Sequence, residues 1–154
     1  MKVIGKKSIS QVLKIALQLI GILGCLIFLF LPWVLQEYIR IVHIGMDSVT
    51  YYAQLILLYV SGVPALVIIY QFIKLFDSLE KETPFIKENA KHLKIASYSS
   101  FLISIEYLVG LMAFTSVFAI IISAVFMIAG LGLAILSELF VQAVNYKEEN
   151  DLTI

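Results

Sequence analysis

From Ile95 to Ser137 the chain carries a single charge, Glu106, over a stretch too long for one bilayer crossing and too apolar to face water. A transmembrane helix needs roughly 20 mostly apolar residues to cross about 30 Å of hydrocarbon at 1.5 Å per residue. Backbone amides cannot be left unpaired in lipid, so two helices joined by a tight turn fit this stretch. They are expected at about 95–114 and 117–139, with the turn around Thr115-Ser116 and Gly110 as another place to bend. Hydrophobic residues make up 61% of the chain and charged ones 14%, with a mean hydropathy of +0.99, which excludes an ordinary soluble globule.

Two further spans precede this hairpin. Residues 15–35 contain one strongly polar side chain, Gln18, and follow Lys2, Lys6, Lys7 and Lys14. The run is longer than a signal-peptide core and ends in Pro32-Trp33-Val34-Leu35, without a small-residue cleavage site, so an uncleaved span is expected. Residues 51–73 carry no charge and are entered through Asp47-Ser48-Val49-Thr50, where a serine or threonine can cap a helix. The whole chain, 1–154, therefore reads as a single all-α integral membrane domain with four transmembrane helices.

Lysine and arginine set the direction of such spans. Positions 2, 6, 7, 14, 74, 81, 87, 91, 94 and 147 fall at the N-terminus, between spans two and three, and at the C-terminus. Only Arg40 lies between spans one and two. This bias puts both termini and the middle loop in the cytoplasm of a cell whose inner membrane holds the protein. Trp33, Tyr38, Tyr51 and Tyr52 then fall near the outer interface, where amphipathic rings are favoured.

The outer segment, about 36–50, reads as an interfacial loop. In the cytoplasmic segment, Asp77 to Glu82 continues the second helix or leads out of it. Thr83-Pro84 then reads as an N-cap with proline at the first helical position. Ile86, Ala90, Leu93 and Ser97 share one face of a short amphipathic helix before the third span, and Lys87, Lys91 and Lys94 share another. The lysines could grip anionic lipid, meet a partner's acidic surface, or be a solvated face that enforces topology. After span four the helix is expected to run on, before an acidic tail from Lys147 that is expected to fray.

Chemistry is scarce. The sequence has no HExxH, CxxC, P-loop, GxSxG or Rossmann glycine pattern. His43 and His92 fall on opposite sides of the membrane and cannot share a metal ion, and Cys25 is alone. No catalytic residue, metal or cofactor is expected, and the chain reads as no enzyme. Eleven basic residues balance eleven acidic ones, so no net field favours nucleic acid directly.

Glu106 falls near the middle of the third span. An ionised carboxylate costs about 2.5–3.5 kcal/mol or more there, and no span offers it a basic partner. It is expected to be neutral or to face a wet cavity, either as a proton-coupled binding site or hydrogen-bonded to Ser61, Gln54, Ser123 or a tyrosine hydroxyl. Pro64 removes a backbone bond mid-span and should kink or loosen the second helix. Gly21 with Gly24, and Gly130 with Gly132, suit close helix contact.

Thr83-Pro84-Phe85 with Asn89, Leu93 and Ile95, together with Glu138-Leu139-Phe140 and the segment from Lys147 to Ile154, resembles the small four-span bacterial proteins of domain-of-unknown-function family 2975. The resemblance implies a bacterial inner-membrane protein without a settled activity, often encoded beside a small helix-turn-helix regulator of the XRE type. Phe85, Asn89, Lys87, Lys91, Lys94, Glu148, Glu149 and Asp151 are the candidate cytoplasmic docking residues. Alternatively, the acidic tail pairs with the lysine stripe and closes the inner end of the bundle.

Three functions compete on these residues. One is a regulatory or scaffolding protein that docks a cytoplasmic partner at the membrane. Another is a small proton-coupled transporter working through Glu106 as a homo-oligomer, and the third is immunity to a membrane-active peptide.

Overall fold

The computed structural model describes residues 4–80, 85–112 and 116–151, with side chains from Ser10 to Asn150 within them. It is all-α, with helices α1 (Ile4–Leu29), α2 (Leu31–Val42), α3 (Ser48–Glu80), α4 (Lys87–Gly110) and α5 (Val117–Asp151). Three helices have the length and apolarity to cross a membrane, over Ser10–Leu29, Ser48–Glu80 and Val117–Asn150. Their large side chains are widely exposed, among them Ile22, Ile56, Val63, Ile128 and Ile135. Such a surface calls for lipid.

The first span is shorter than expected because α1 stops at Leu29 instead of continuing to Leu35. Pro32 has no N–H for the Phe28 carbonyl and its ring crowds that turn, so the chain breaks at Phe30 and restarts with proline in the first turn of α2. The first part of the segment read as an interfacial loop, 36–42, belongs to this helix, and 48–50 already belong to α3. Leu31 and Leu35 are buried while Trp33, Tyr38 and Ile41 are exposed. Tyr51 on α3 donates its hydroxyl to the Pro32 carbonyl at 3.3 Å and accepts from Gln36 at 3.4 Å, fastening α2 to α3.

Asp47, rather than a serine or threonine, caps α3. Its carboxylate accepts from the Val49 and Thr50 amides at 3.1 and 3.3 Å and from the Thr50 hydroxyl at 2.5 Å. A carboxylate is the stronger acceptor and also suits the positive end of the helix dipole. The helix is unbroken across the buried Pro64.

Among the described residues, each long helix packs only on its neighbour in sequence: α1 on α3, α3 on α4, and α4 on α5. α1 does not reach α4 or α5, and α3 does not reach α5. The expected four-helix bundle is thus an open antiparallel row. The N-terminal end of α1 and the C-terminal end of α5 lie at the same charged end of the molecule.

Packing along the row follows the small residues. A Cβ at Gly21 would stand 3.3 Å from Ile69, one at Gly24 3.2 Å from Leu66, and one at Gly62 2.8 Å from the Phe28 ring, so α1 and α3 approach closely. Gly130 similarly receives Phe101 of α4, whose ring would stand 2.9 Å from a Cβ at that position. Gly132, expected to act with Gly130, faces open space instead.

α4 ends at Gly110. It is the least apolar long helix and the most enclosed, with Ala90, Leu93, Ala96, Ser97, Ser100, Ile103 and Ser104 buried. It begins at Lys87 after an extended Ile86, later than a start at Pro84. Thr83 and Pro84 lie outside the described residues, as does Thr115 of the expected turn. Ser116 precedes α5 and accepts from the amides of Ala119 and Ile120. The acidic segment expected to fray is helical through Asp151.

Candidate functional site

The charged end is built by contacts between successive helices. Lys14 of α1 sits 2.7 Å from Asp77 and 2.8 Å from Glu80 of α3. Asn89 of α4 donates to the Ser78 hydroxyl, which in turn donates to the Leu75 carbonyl at 2.8 Å. Gln71 Oε1 lies 2.6 Å from His92 Nδ1, so the imidazole donates there and α3 is tied to α4 a second time. Lys87 of α4 meets Glu148 of α5 at 2.8 Å, and the Phe85 ring lies 5.6 Å from that of Phe140.

These contacts sort the candidate docking residues. Phe85, Lys87, Glu148 and Glu149 are exposed at the outer tip, where α5 extends alongside the start of α4. Lys91 and Lys94 are exposed further along α4. Asn89 is 1% exposed, so the structure removes it from any docking surface: a polar side chain in an interhelical hydrogen bond reads in sequence like a solvated one. Asp151 ends α5, and its side chain lies outside the description. The Lys87–Glu148 pair joins one lysine of the stripe to the acidic segment.

The α4–α5 seam is held by polar contacts whose pairing was not expected from the sequence. Ser137 donates to the Ala90 carbonyl at 2.9 Å, and Ser97 donates to the Gly130 carbonyl at 2.8 Å. Ser104 and Ser123 donate to each other's carbonyls at 2.9 and 3.0 Å. Ala90, Ser97 and Ser104 recur every seventh residue, as do Ser123, Gly130 and Ser137 in the opposite direction. That shared heptad spacing of small residues is the signal that could have located the seam.

Ser123 is thereby occupied, and Ser61 donates to the Leu58 carbonyl of its own helix, so neither partners Glu106 as expected. Glu106 Oε2 is buried with no hydrogen bond. A groove of about 1020 Å³ opens between α1, α2, α3, the end of α4 and the first half of α5, with Phe28, Leu35, Leu58, Ile103, Tyr107 and Phe126 in its wall. Glu106 does not line it. Among the described residues no group of three histidines, cysteines or carboxylates could hold a metal ion.

Long apolar helices, a hydrogen-bonded seam and an ion-paired end define an α-helical membrane protein. The chain belongs to the family described as "Protein of unknown function (DUF2975)", which matches residues 10–154. It is similar to the uncharacterized membrane protein YoaS of Bacillus subtilis (strain 168), at 30% identity over 153 residues, covering 92% of this chain and 95% of that protein. No solved structure matches it.

Proposed function

We propose that this is a non-enzymatic inner-membrane protein with four crossings and both termini in the cytoplasm, where its charged end docks a soluble partner. The observation that carries this reading is the length of α5, which remains helical through Asp151. Its 35 residues extend about 52 Å, against about 30 Å of hydrocarbon, so about 20 Å stands beyond the hydrocarbon. The lysine bias supports a cytoplasmic position for that end. There Phe85, Lys87, Glu148 and Glu149 form a platform braced by the Phe85–Phe140 and Lys87–Glu148 contacts.

The fourth crossing in this reading is α4. Its hydropathy is lower than that of the other long helices, yet its buried serines are hydrogen-bonded and it runs the full height between α3 and α5. The partner favoured by the family resemblance is a small helix-turn-helix regulator of the XRE type. Proton-coupled transport finds less support, because Glu106 does not line the groove and the stretch from Ile95 to Ser137 holds no second charged residue.

The test is cross-linking and recovery from membranes of cells co-expressing such a regulator, comparing the intact chain with one ending at Tyr146. Recovery by the intact chain and loss from the shortened one is expected. Equal recovery from both, or none from either, overturns the docking role.

A further inference from the structure

We propose that the exposed face of α4 is a binding stripe for an anionic phospholipid, with Lys91 and Lys94 holding the phosphate. The inference rests on the membrane topology proposed above and is independent of the soluble partner.

The level of these lysines follows from the helix register. The Ala90–Ser137, Ser97–Gly130 and Ser104–Ser123 contacts share one antiparallel alignment, which sets Lys91 level with Leu136 and Lys94 level with Leu133. From Val117 to Leu136 the sole hydroxyl or charged side chain of α5 is Ser123, a run of roughly 20 residues that matches the hydrocarbon thickness. Lys91 is thus at the edge of the hydrocarbon, and Lys94 about 5 Å inside it. On the other flank, the Asn89–Ser78 and His92–Gln71 contacts place Lys91 level with Lys74, the residue that ends the uncharged run of α3. Two neighbours of α4 therefore mark the same boundary.

An ammonium at this depth bends its four-carbon stem outward to the headgroup layer. Lys91 and Lys94 are exposed, and among the described residues neither enters an ion pair, whereas Lys87, further out, is held by Glu148. The next residues on their face are Tyr98, Leu102, Ile105 and Val109, at helical spacings of three and four. All four are exposed, Tyr98 at 62% and Val109 at 59%. The stripe therefore runs from cation through phenol to aliphatic surface, over about 22 Å from Lys94 to Val109. That sequence matches a phosphate, a glycerol ester and an acyl chain in order. Charge complementarity selects the anionic lipid over a zwitterionic one. The depth of Lys94 selects a lipid over an acidic protein, which would have to enter the bilayer.

The experiment uses the full chain reconstituted in vesicles of equal phosphatidylglycerol and phosphatidylcholine, re-extracted in mild detergent, with retained lipid measured by native mass spectrometry. Phosphatidylglycerol is expected to be enriched on the intact chain. Enrichment should fall about fivefold for Lys91→Ala or Lys94→Ala, and further for the double variant, with rescue by arginine at both positions. A thermal melt of each variant confirms that it is folded. The chain ending at Tyr146 should keep its full lipid preference, so failure of partner docking and failure of lipid binding are read separately. Equal retention of the two lipids, or an undiminished preference in the folded double variant, overturns the proposal. Loss of the regulator from that variant with lipid preference intact also overturns it, and assigns the lysines to protein contact.

Discussion

Ser104 and Ser123 form a reciprocal clasp: each hydroxyl donates to the other's backbone carbonyl, at 2.9 and 3.0 Å, and the two oxygens stand 3.0 Å apart. Ser104 is fully buried and Ser123 3% exposed, so neither can turn to water. Interhelical hydrogen bonds in membranes average about 0.6 kcal/mol and reach about 1.7 kcal/mol. Either serine changed to alanine should lower stability by about 0.5–2 kcal/mol. The double variant should lose less than the two single losses combined, because each change also strips the other hydroxyl of a partner. Unfolding in mixed micelles measures the cycle, and strict additivity would show that the clasp carries no coupling.

Gly130 and Gly132 should respond oppositely to alanine. At Gly130 the new methyl stands 2.9 Å from two atoms of the Phe101 ring, forcing the ring or the helix to move and stretching the Ser97–Gly130 bond. A loss of about 1–3 kcal/mol is expected. Gly132 meets nothing within 4 Å, so alanine there should leave stability equal or slightly higher through helix propensity. Melting temperatures of the two variants provide the comparison.

The cap at Asp47 gives the protein an acid-sensitive element. The Thr50 hydroxyl, followed by its amide, holds the Asp47 carboxyl below the ordinary carboxylate range. A carboxyl that binds its proton less readily in the folded state stabilises that state fully above the unfolded value of about 3.9. The benefit fades as pH falls through the lower folded value. Asp47→Asn should therefore melt below the intact protein at pH 7, and the gap should narrow below about pH 4. A gap independent of pH would mean that the charge contributes nothing.

Glu106 keeps one carboxyl oxygen buried without a partner. Removing an unsatisfied polar atom by an apolar residue of similar size is neutral or stabilising. Glu106→Leu should accordingly melt at or above the temperature of the intact protein. A clear fall would show that the carboxyl holds a stabilising contact.

The apolar runs read at 15–35, 51–73 and 117–139 were legible, apart from the early stop of the first at Leu29, because lipid demands length and hydrophobicity, and both are written locally. The lysine face of α4 was equally plain, since Ala90, Leu93 and Ser97 turn inward and Lys87, Lys91 and Lys94 outward. The roles of Asn89, Ser97 and Ser104 were hidden because a buried hydrogen-bonded residue and a solvated one share the same letter. Their identity depends on Ser78, Gly130 and Ser123, which are distant in sequence. The break at Phe30 lay between these extremes: Pro32 announced it, but the surrounding hydrophobicity masked the announcement.

The row arrangement has a bearing on how the chain is made. Since α3 binds α1, α4 binds α3, and α5 binds α4, no helix must wait for a remote segment before finding its partner. Contacts that close between successive elements form early and with little loop-closure entropy. Each helix can settle against its predecessor in the order of synthesis. A chain arrested after α4 would already hold two of its three long-helix interfaces, and the α4–α5 seam with its serine clasp would await the last segment to emerge.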